Sequence, residues 1–213
     1  NEHRSCAFFR DCYYALLNYF GQQVGYSGRK FRFRNAAYAL DSTVITLCAK
    51  VYDWARYTHA KGAVRLHTLL NFHTMLPEFV HITDGKTGDN TAARNVEVKP
   101  GSIIVCDRGY FDTLLMNFWD SIKVFFIVRV KDNLIYERIE ERDLPDNTHQ
   151  EVLIDEVVRL TGNGTSGQYP KNIRRIAVYN AEHHFTMVLL TNNMKLSAGT
   201  IAGLYKARWD IEI

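Results

Sequence analysis

The apolar positions of this chain follow two periodicities. Cys6 to Phe20 carries Ala7, Phe8, Tyr14, Leu17 and Phe20 at helical spacing and ends at Gly21, which predicts a helix with a glycine at its C-terminal cap. Tyr38 to Ala49 (YALDSTVITLCA) is rich in strand-forming residues, and Ala63 to Asn71 and Leu76 to Thr83 repeat that character. Asp84 to Asn90 (DGKTGDN) reads as a loop and Thr91 to Val98 as a short helix. Ser102 to Cys106 is a continuous apolar run, as expected of a parallel strand covered on both faces. Phe111 to Ile122 is helical again and Lys123 to Val130 is a strand. The predicted order is three strands in series, then helix, strand, helix and strand.

From Lys131 the pattern changes. Glu151 to Leu160, Asn172 to Asn180 and Phe185 to Thr191 are strand-like, with a glycine-rich turn from Gly162 to Gly167. Ser197 then caps a last helix, Ala198 to Ile213. This predicts residues 1–35 as a helical and linker segment, 36–130 with 191–213 as an α/β core, and 131–190 as a β-rich insertion. No internal repeat is visible.

With 46% hydrophobic and 23% charged residues over 213 positions, the composition is that of a globular chain. It excludes a disordered, collagen-like or coiled-coil protein. The net charge of +3 is too mild to imply a nucleic-acid partner. Its distribution says more. Arg29, Lys30, Arg32 and Arg34 lie between Ser27 and Asn35 with no acid, interleaved with Phe31 and Phe33, and are candidates for phosphate contact. Glu137 to Asp143 is acidic and reads as a solvated face. Cys6, Cys12, Cys48 and Cys106 form no CxxC pair; Cys48 and Cys106 read as small core residues. No apolar run approaches a membrane span and no segment reads as a signal peptide, so a cytoplasmic protein without membrane association is expected. The chain opens at Asn1, not Met, and stops at Ile213 within a helical pattern, as expected of a piece of a longer protein.

Two acids fall where folding alone would not put them. Asp41 interrupts a strand between Leu40 and Val44, and Asp107 directly follows Ile103-Ile104-Val105-Cys106. A carboxylate at the end of a buried strand is costly to desolvate without a partner. In a sheet of order 3-2-1-4-5 the first and fourth strands are parallel neighbours, and Asp41 and Asp107 lie side by side. Adjacent carboxylates repel, and a divalent cation is the usual remedy. On the last helix Tyr205, Arg208 and Glu212 fall within ~60° of one another, beside Ile201 and Leu204. Each feature also has a plainer reading: a surface Arg208–Glu212 ion pair, and aspartates that cap turns. His67, His73, His81, His183 and His184 show no ligand spacing and read as strand or surface histidines. The loop from Thr83 to Asp89 reads as a turn that could lie near the acids. No GxGxxG follows a strand, which argues against a dinucleotide site.

Together these residues resemble the DDE transposases of bacterial insertion sequences, in the subgroup with a Y-x2-R-x3-E-x6-K signature. The resemblance rests on Leu40-Asp41-Ser42-Thr43, on Cys106-Asp107-Arg108-Gly109-Tyr110, and on Tyr205, Arg208 and Glu212 in the last helix. Lys61 to His67 (KGAVRLH) is similar to the family's second strand. The signature lysine would fall beyond Ile213. The resemblance implies a ribonuclease-H-like core of order 3-2-1-4-5 with flanking helices and a β-rich insertion. It implies Asp41, Asp107 and Glu212 as catalytic residues and ligands of Mg2+ (or Mn2+), with two ions ~3.5–4 Å apart. It further implies cleavage at transposon ends, strand transfer into target DNA, and a homodimer on DNA. Tyr205, Arg208 and Arg108 would contact DNA beside Arg29, Lys30 and Arg32, and Tyr169 or Tyr179 in the insertion would be available to a flipped base. Two other readings of such a core are a nuclease that never joins strands and a DNA-binding fragment without catalysis.

Overall fold

The computed structural model describes residues 5–23, 35–47, 62–131, 133–144 and 151–209. The apolar run Ile103–Cys106 forms strand β4 and is buried at every position. It lies between β1 (Ala37–Leu47) and β5 (Phe125–Val130), parallel to both. Side chains of a strand alternate between faces. Accordingly Leu40, Ile104, Cys106, Phe126 and Val128 enter one core with Leu115, Met116 and Trp119 of helix α3 (Thr113–Ser121). Ala37, Ala39, Ile103, Val105 and Ile127 enter a second core with Ile201, Leu204 and Tyr205 of helix α4 (Ala198–Trp209). The central strands therefore separate two apolar layers, with α3 on one side and α4 on the other.

β2 (Gly62–Asn71) and β3 (Pro77–Asp84) complete an antiparallel meander with β1. This yields the order 3-2-1-4-5 expected of a ribonuclease-H-like core. The sheet does not stop at β5. β6 (Tyr136–Glu141), β7 (Val152–Leu160), β8 (Ile173–Asn180) and β9 (Phe185–Thr191) extend it through an antiparallel β5–β9 pair. The full order is β3-β2-β1-β4-β5-β9-β8-β7-β6.

The remaining helices are α1 (Cys6–Gln23) and the short α2 (Asp89–Ala93). α1 runs through Gly21, so that glycine lies within the helix and does not cap it. α2 starts earlier and ends sooner than the Thr91–Val98 pattern predicts, because Asn95 and Val96 close turns onto Ala92 and Ala93. The acidic run from Glu137 contributes to edge strand β6, with its charges outward, an arrangement that discourages edge-to-edge pairing. Cys106 is buried as expected; Cys48 lies outside the described residues. Ser197 caps α4 as expected, its Oγ accepting from Thr200 N at 3.1 Å.

The loop into α4 is anchored by a buried ion pair. Arg174 on β8 donates from Nε and Nη2 to the two oxygens of Asp155 on β7, at 2.7 and 2.6 Å. Its Nη1 donates to the Asn193 and Leu196 carbonyls. The β7–β8 strands thus hold the turn from which α4 departs.

Candidate active site

The pairing of β1 with β4 ends at Leu40 and Cys106, while its pairing with β2 continues to Leu47 and Gly62. Ala37–Leu40 are buried and residues 43–46 are exposed. Asp41 sits at that changeover, one residue past the last β1–β4 pair, and Asp107 sits one residue past it on β4. The two acids are therefore neighbours at the carboxyl end of the parallel β1–β4 ladder, Asp41 within β1 and Asp107 just past β4. The chain runs from β1 to β2 on one side and from β4 to β5 on the other. Open α/β sheets bind ligands at such a switch point.

Asp41 continues the parity of Ala37 and Ala39, so it stands on the α4 face of the sheet. There Arg208 approaches it, with Nη1 4.0 Å from Asp41 Oδ1. The Arg208 side chain is 6% exposed and that of Asp41 is 48% exposed. The guanidinium lies over the ring of fully buried Tyr205, 5.5 Å from its centroid. Burial pushes the Tyr205 phenol above its ordinary pKa, against the opposing charges of Arg208 and Arg129. Asp107 caps the single 3-10 turn Arg108–Tyr110; its Oδ1 accepts from Gly109 N at 2.9 Å. One carboxylate oxygen is thereby fixed by the backbone.

A second cluster lies where β2 faces α2. Ser42 pairs with His67 and Val44 with Arg65, and cross-strand partners share a face. From that face Ser42 Oγ and Arg65 Nη1 each donate to Asp89 Oδ1 at 2.7 Å. His67 Nδ1 lies 3.8 Å from the same oxygen, and its Nε2 lies 3.0 Å from Thr83 Oγ1. Burial holds the His67 pKa below its ordinary value, although Asp89 pulls the other way. Tyr110 is raised, first by burial and then by the charge of Asp89. Gly109 joins the two clusters. A Cβ built on it would lie 3.1 Å from Asp107 Oδ1 and 3.6 Å from Asp89 Oδ2.

Beyond Asp107 an open cleft of about 650 Å³ is lined by exposed Arg108, Lys131 and Ile135 and by half-buried Phe111, with Thr161 and Asn163 also in its lining. It offers two cations and an apolar wall to a ligand.

Among the sequence-predicted residues, Asp41, Asp107, Tyr205 and Arg208 converge, and Arg108 lies next to Asp107. Glu212, Arg29, Lys30 and Arg32 lie outside the described residues. Tyr169 is not available to a base: it is 1% exposed, edge-on to Phe126 in the core, whereas Tyr179 is 36% exposed. The sequence leaves Asp89 in a polar loop that could lie near the acids, without showing its partners. It reads as one more polar loop residue, and only the packing of α2 against β2 and the 108–110 turn brings it to the site.

Oxygen donors at half-exposed strand ends fit a hard divalent cation such as Mg2+. Among the described residues no group of three His, Cys, Asp or Glu is arranged to hold a metal. Asp41 and Asp107 place two carboxylates side by side, and Asp89 is engaged with Ser42 and Arg65.

Comparison with known proteins gives a consistent result. The profile of the family described as "Transposase DDE domain" matches residues 33–213. The chain is 29% identical over its whole length to a Sinorhizobium fredii protein named "Putative transposase y4zB", covering 58% of that protein. It is 25% identical, over 87% of its length, to a Geobacillus stearothermophilus protein named "Probable transposase for insertion sequence element IS5377", covering 48% of it. The chain thus spans about half the length of the curated relatives it matches. Among solved structures, the NurA nuclease from Sulfolobus solfataricus aligns at 10% identity with a TM-score of 0.34, over 95% of this chain and 88% of that one. That score is too low to carry an argument. Among the described residues no helix is long and apolar enough to cross a membrane.

Proposed function

The chain belongs to the transposase DDE domain family, and on that premise we propose that it is the catalytic core of an insertion-sequence transposase that cuts DNA at element ends and joins them to target DNA. The observation that carries the reading is the adjacency of Asp41 and Asp107 at the ends of β1 and β4. In this reading they hold Mg2+ or Mn2+, two ions in all, with Glu212 as the third ligand. When bound, the cations supply Lewis acidity, which activates a water or a 3′-hydroxyl and offsets charge on the phosphate and the leaving oxygen.

The chain's own residues prepare that chemistry. Gly109 N orients the Asp107 carboxylate by donating to Oδ1. Buried Tyr205 and Arg208 present a rigid cationic wall beside Asp41, and a guanidinium's fork of donors suits phosphate oxygens. Arg108 and Lys131 line the neighbouring cleft, where a DNA backbone would run. Arg29, Lys30 and Arg32 add phosphate contacts before β1. In the cleavage step a water oxygen bonds to phosphorus and the bond to the 3′ oxygen breaks, leaving a 3′-hydroxyl. In the joining step that hydroxyl oxygen bonds to a target phosphorus while the target's own bond from phosphorus to its 3′ oxygen breaks, and the proton passes to the 3′-hydroxyl released. Two ends must meet for joining, so the DNA-bound form is a homodimer, acting on the terminal inverted repeats and target DNA of the bacterial nucleoid.

The test uses full-length protein and end-containing DNA in Mg2+. Cleavage should be lost in Asp41→Asn, Asp107→Asn and Glu212→Gln, and a pre-cut 3′-hydroxyl end should be joined to target DNA by the wild type. Undiminished cleavage in all three variants would overturn the assignment. Cleavage without joining would reduce it to a nuclease.

A further inference from the structure

Asp89 belongs to no signature that identifies the site, yet three side chains gather around its carboxylate. Its Oδ1 accepts from both Ser42 Oγ and Arg65 Nη1 at 2.7 Å, and His67 stands 3.8 Å away. Ser42 is the residue after Asp41, and a Cβ built on Gly109, the residue whose N–H orients Asp107, would lie 3.6 Å from Asp89 Oδ2. Asp89 is therefore bonded to the neighbour of Asp41 and lies next to the turn that holds Asp107. Its side chain is 20% exposed and that of Arg65 is 19% exposed, so the pair is screened less than a surface pair.

Resting on the function proposed above, we infer that Asp89 is a positioning residue of the cation site. It has two effects. Through Ser42 it ties β1, one residue past Asp41, to α2, and beside the Gly109 turn it helps set the gap between Asp41 and Asp107. Its charge also cancels that of Arg65. Without that cancellation a half-buried guanidinium would stand behind the carboxylates as an unbalanced positive charge and oppose a divalent cation. His67, which burial keeps toward its neutral form, does not replace the missing anion. His81 and Thr83 pair with β2 beside the cluster, and neither supplies a negative charge.

The two effects make an ordered set of variants informative. Asp89→Asn keeps an oxygen for Ser42 and removes only the charge. It should weaken Mn2+ binding about tenfold, the size expected when one unit charge at short range opposes a divalent ion. The double variant Asp89→Asn/Arg65→Gln removes both charges and should return Mn2+ affinity to within about threefold of wild type. Arg65→Gln alone should bind Mn2+ at least as tightly as wild type. The measurement is Mn2+ binding to the full-length protein by electron paramagnetic resonance, counting only the signal that Asp107→Asn abolishes. A merely structural role would make the double variant at least as poor as the single one, and that result overturns the inference, as does unchanged binding in Asp89→Asn. A wild-type protein with no Asp107-dependent Mn2+ would overturn the proposed cation site and this inference with it. Wild-type binding that tolerates Asp89→Asn overturns this inference alone.

Discussion

The Arg174–Asp155 pair offers a prediction whose size follows from its surroundings. Both side chains are nearly inaccessible, at 2% and 4% exposure, and joined by two charge-assisted bonds. Arg142 Nε lies 3.8 Å from Asp155 Oδ2, so two cations face this one anion. Replacing Asp155 by Asn conserves shape but leaves a buried guanidinium with only carbonyl partners. Breaking one side of a buried pair costs about 3–5 kcal/mol. For a domain of this size, each kcal/mol lowers Tm by about 2–4 °C, so the melting point should fall by roughly 6–20 °C. Circular dichroism melts at neutral pH would measure it. The double replacement Asp155→Leu/Arg174→Met removes the unpaired charge and should recover more than half of the loss. Because Arg174 also holds the Asn193 and Leu196 carbonyls before α4, the single variant should also cleave DNA more slowly at temperatures where it is folded. A melting point within about 2 °C of wild type for Asp155→Asn would refute the reasoning, since no exposed-pair account reaches the larger shift.

Other predictions follow from single contacts. Gly109→Ala should force the Asp107 carboxylate to move, since the new Cβ would meet its Oδ1 at 3.1 Å. Mn2+ titration should show weaker binding, while stability changes by no more than about 0.5 kcal/mol at this exposed turn. His67 has its folded pKa below its ordinary value because of burial, so the unfolded chain binds the proton first. Its contribution to stability is present above the unfolded pKa of ~6.5 and is lost as pH falls through the folded value. Urea unfolding between pH 7 and pH 5 should show that slope, and His67→Gln should flatten it. Arg108→Ala and Lys131→Ala should each weaken DNA binding and reduce the salt slope of log K by about one, measured by fluorescence anisotropy across salt concentrations.

What could be read in advance followed from periodicity. The continuous run at Ile103–Cys106 marks a strand covered on both faces, and the order 3-2-1-4-5 that the family resemblance implies sets it beside β1, so Asp41 and Asp107 are expected side by side. Ser197 was legible as a cap because its chemistry is local. The rest depended on tertiary packing. β6 carries alternating charges and is held by main-chain pairing with β7, a signal that an apolar pattern does not carry. Asp155 and Arg174 sit in strands whose sequences show two charges but not that these face each other in the core. Asp89 needs α2, β2 and the 108–110 turn assembled before it meets Ser42 and Arg65. Tyr169 reads as an available aromatic of the insertion, yet its ring fills the core against Phe126.

The central claim is that the ends of β1 and β4 form one cation site. The most direct measurement is an anomalous difference map from a Mn2+-soaked crystal of the full-length protein. The account predicts a peak between Asp41 and Asp107, within about 2.5 Å of an oxygen from each, as oxygen-ligated divalent cations require. A map with no peak there, or with Mn2+ bound by other side chains alone, would contradict it.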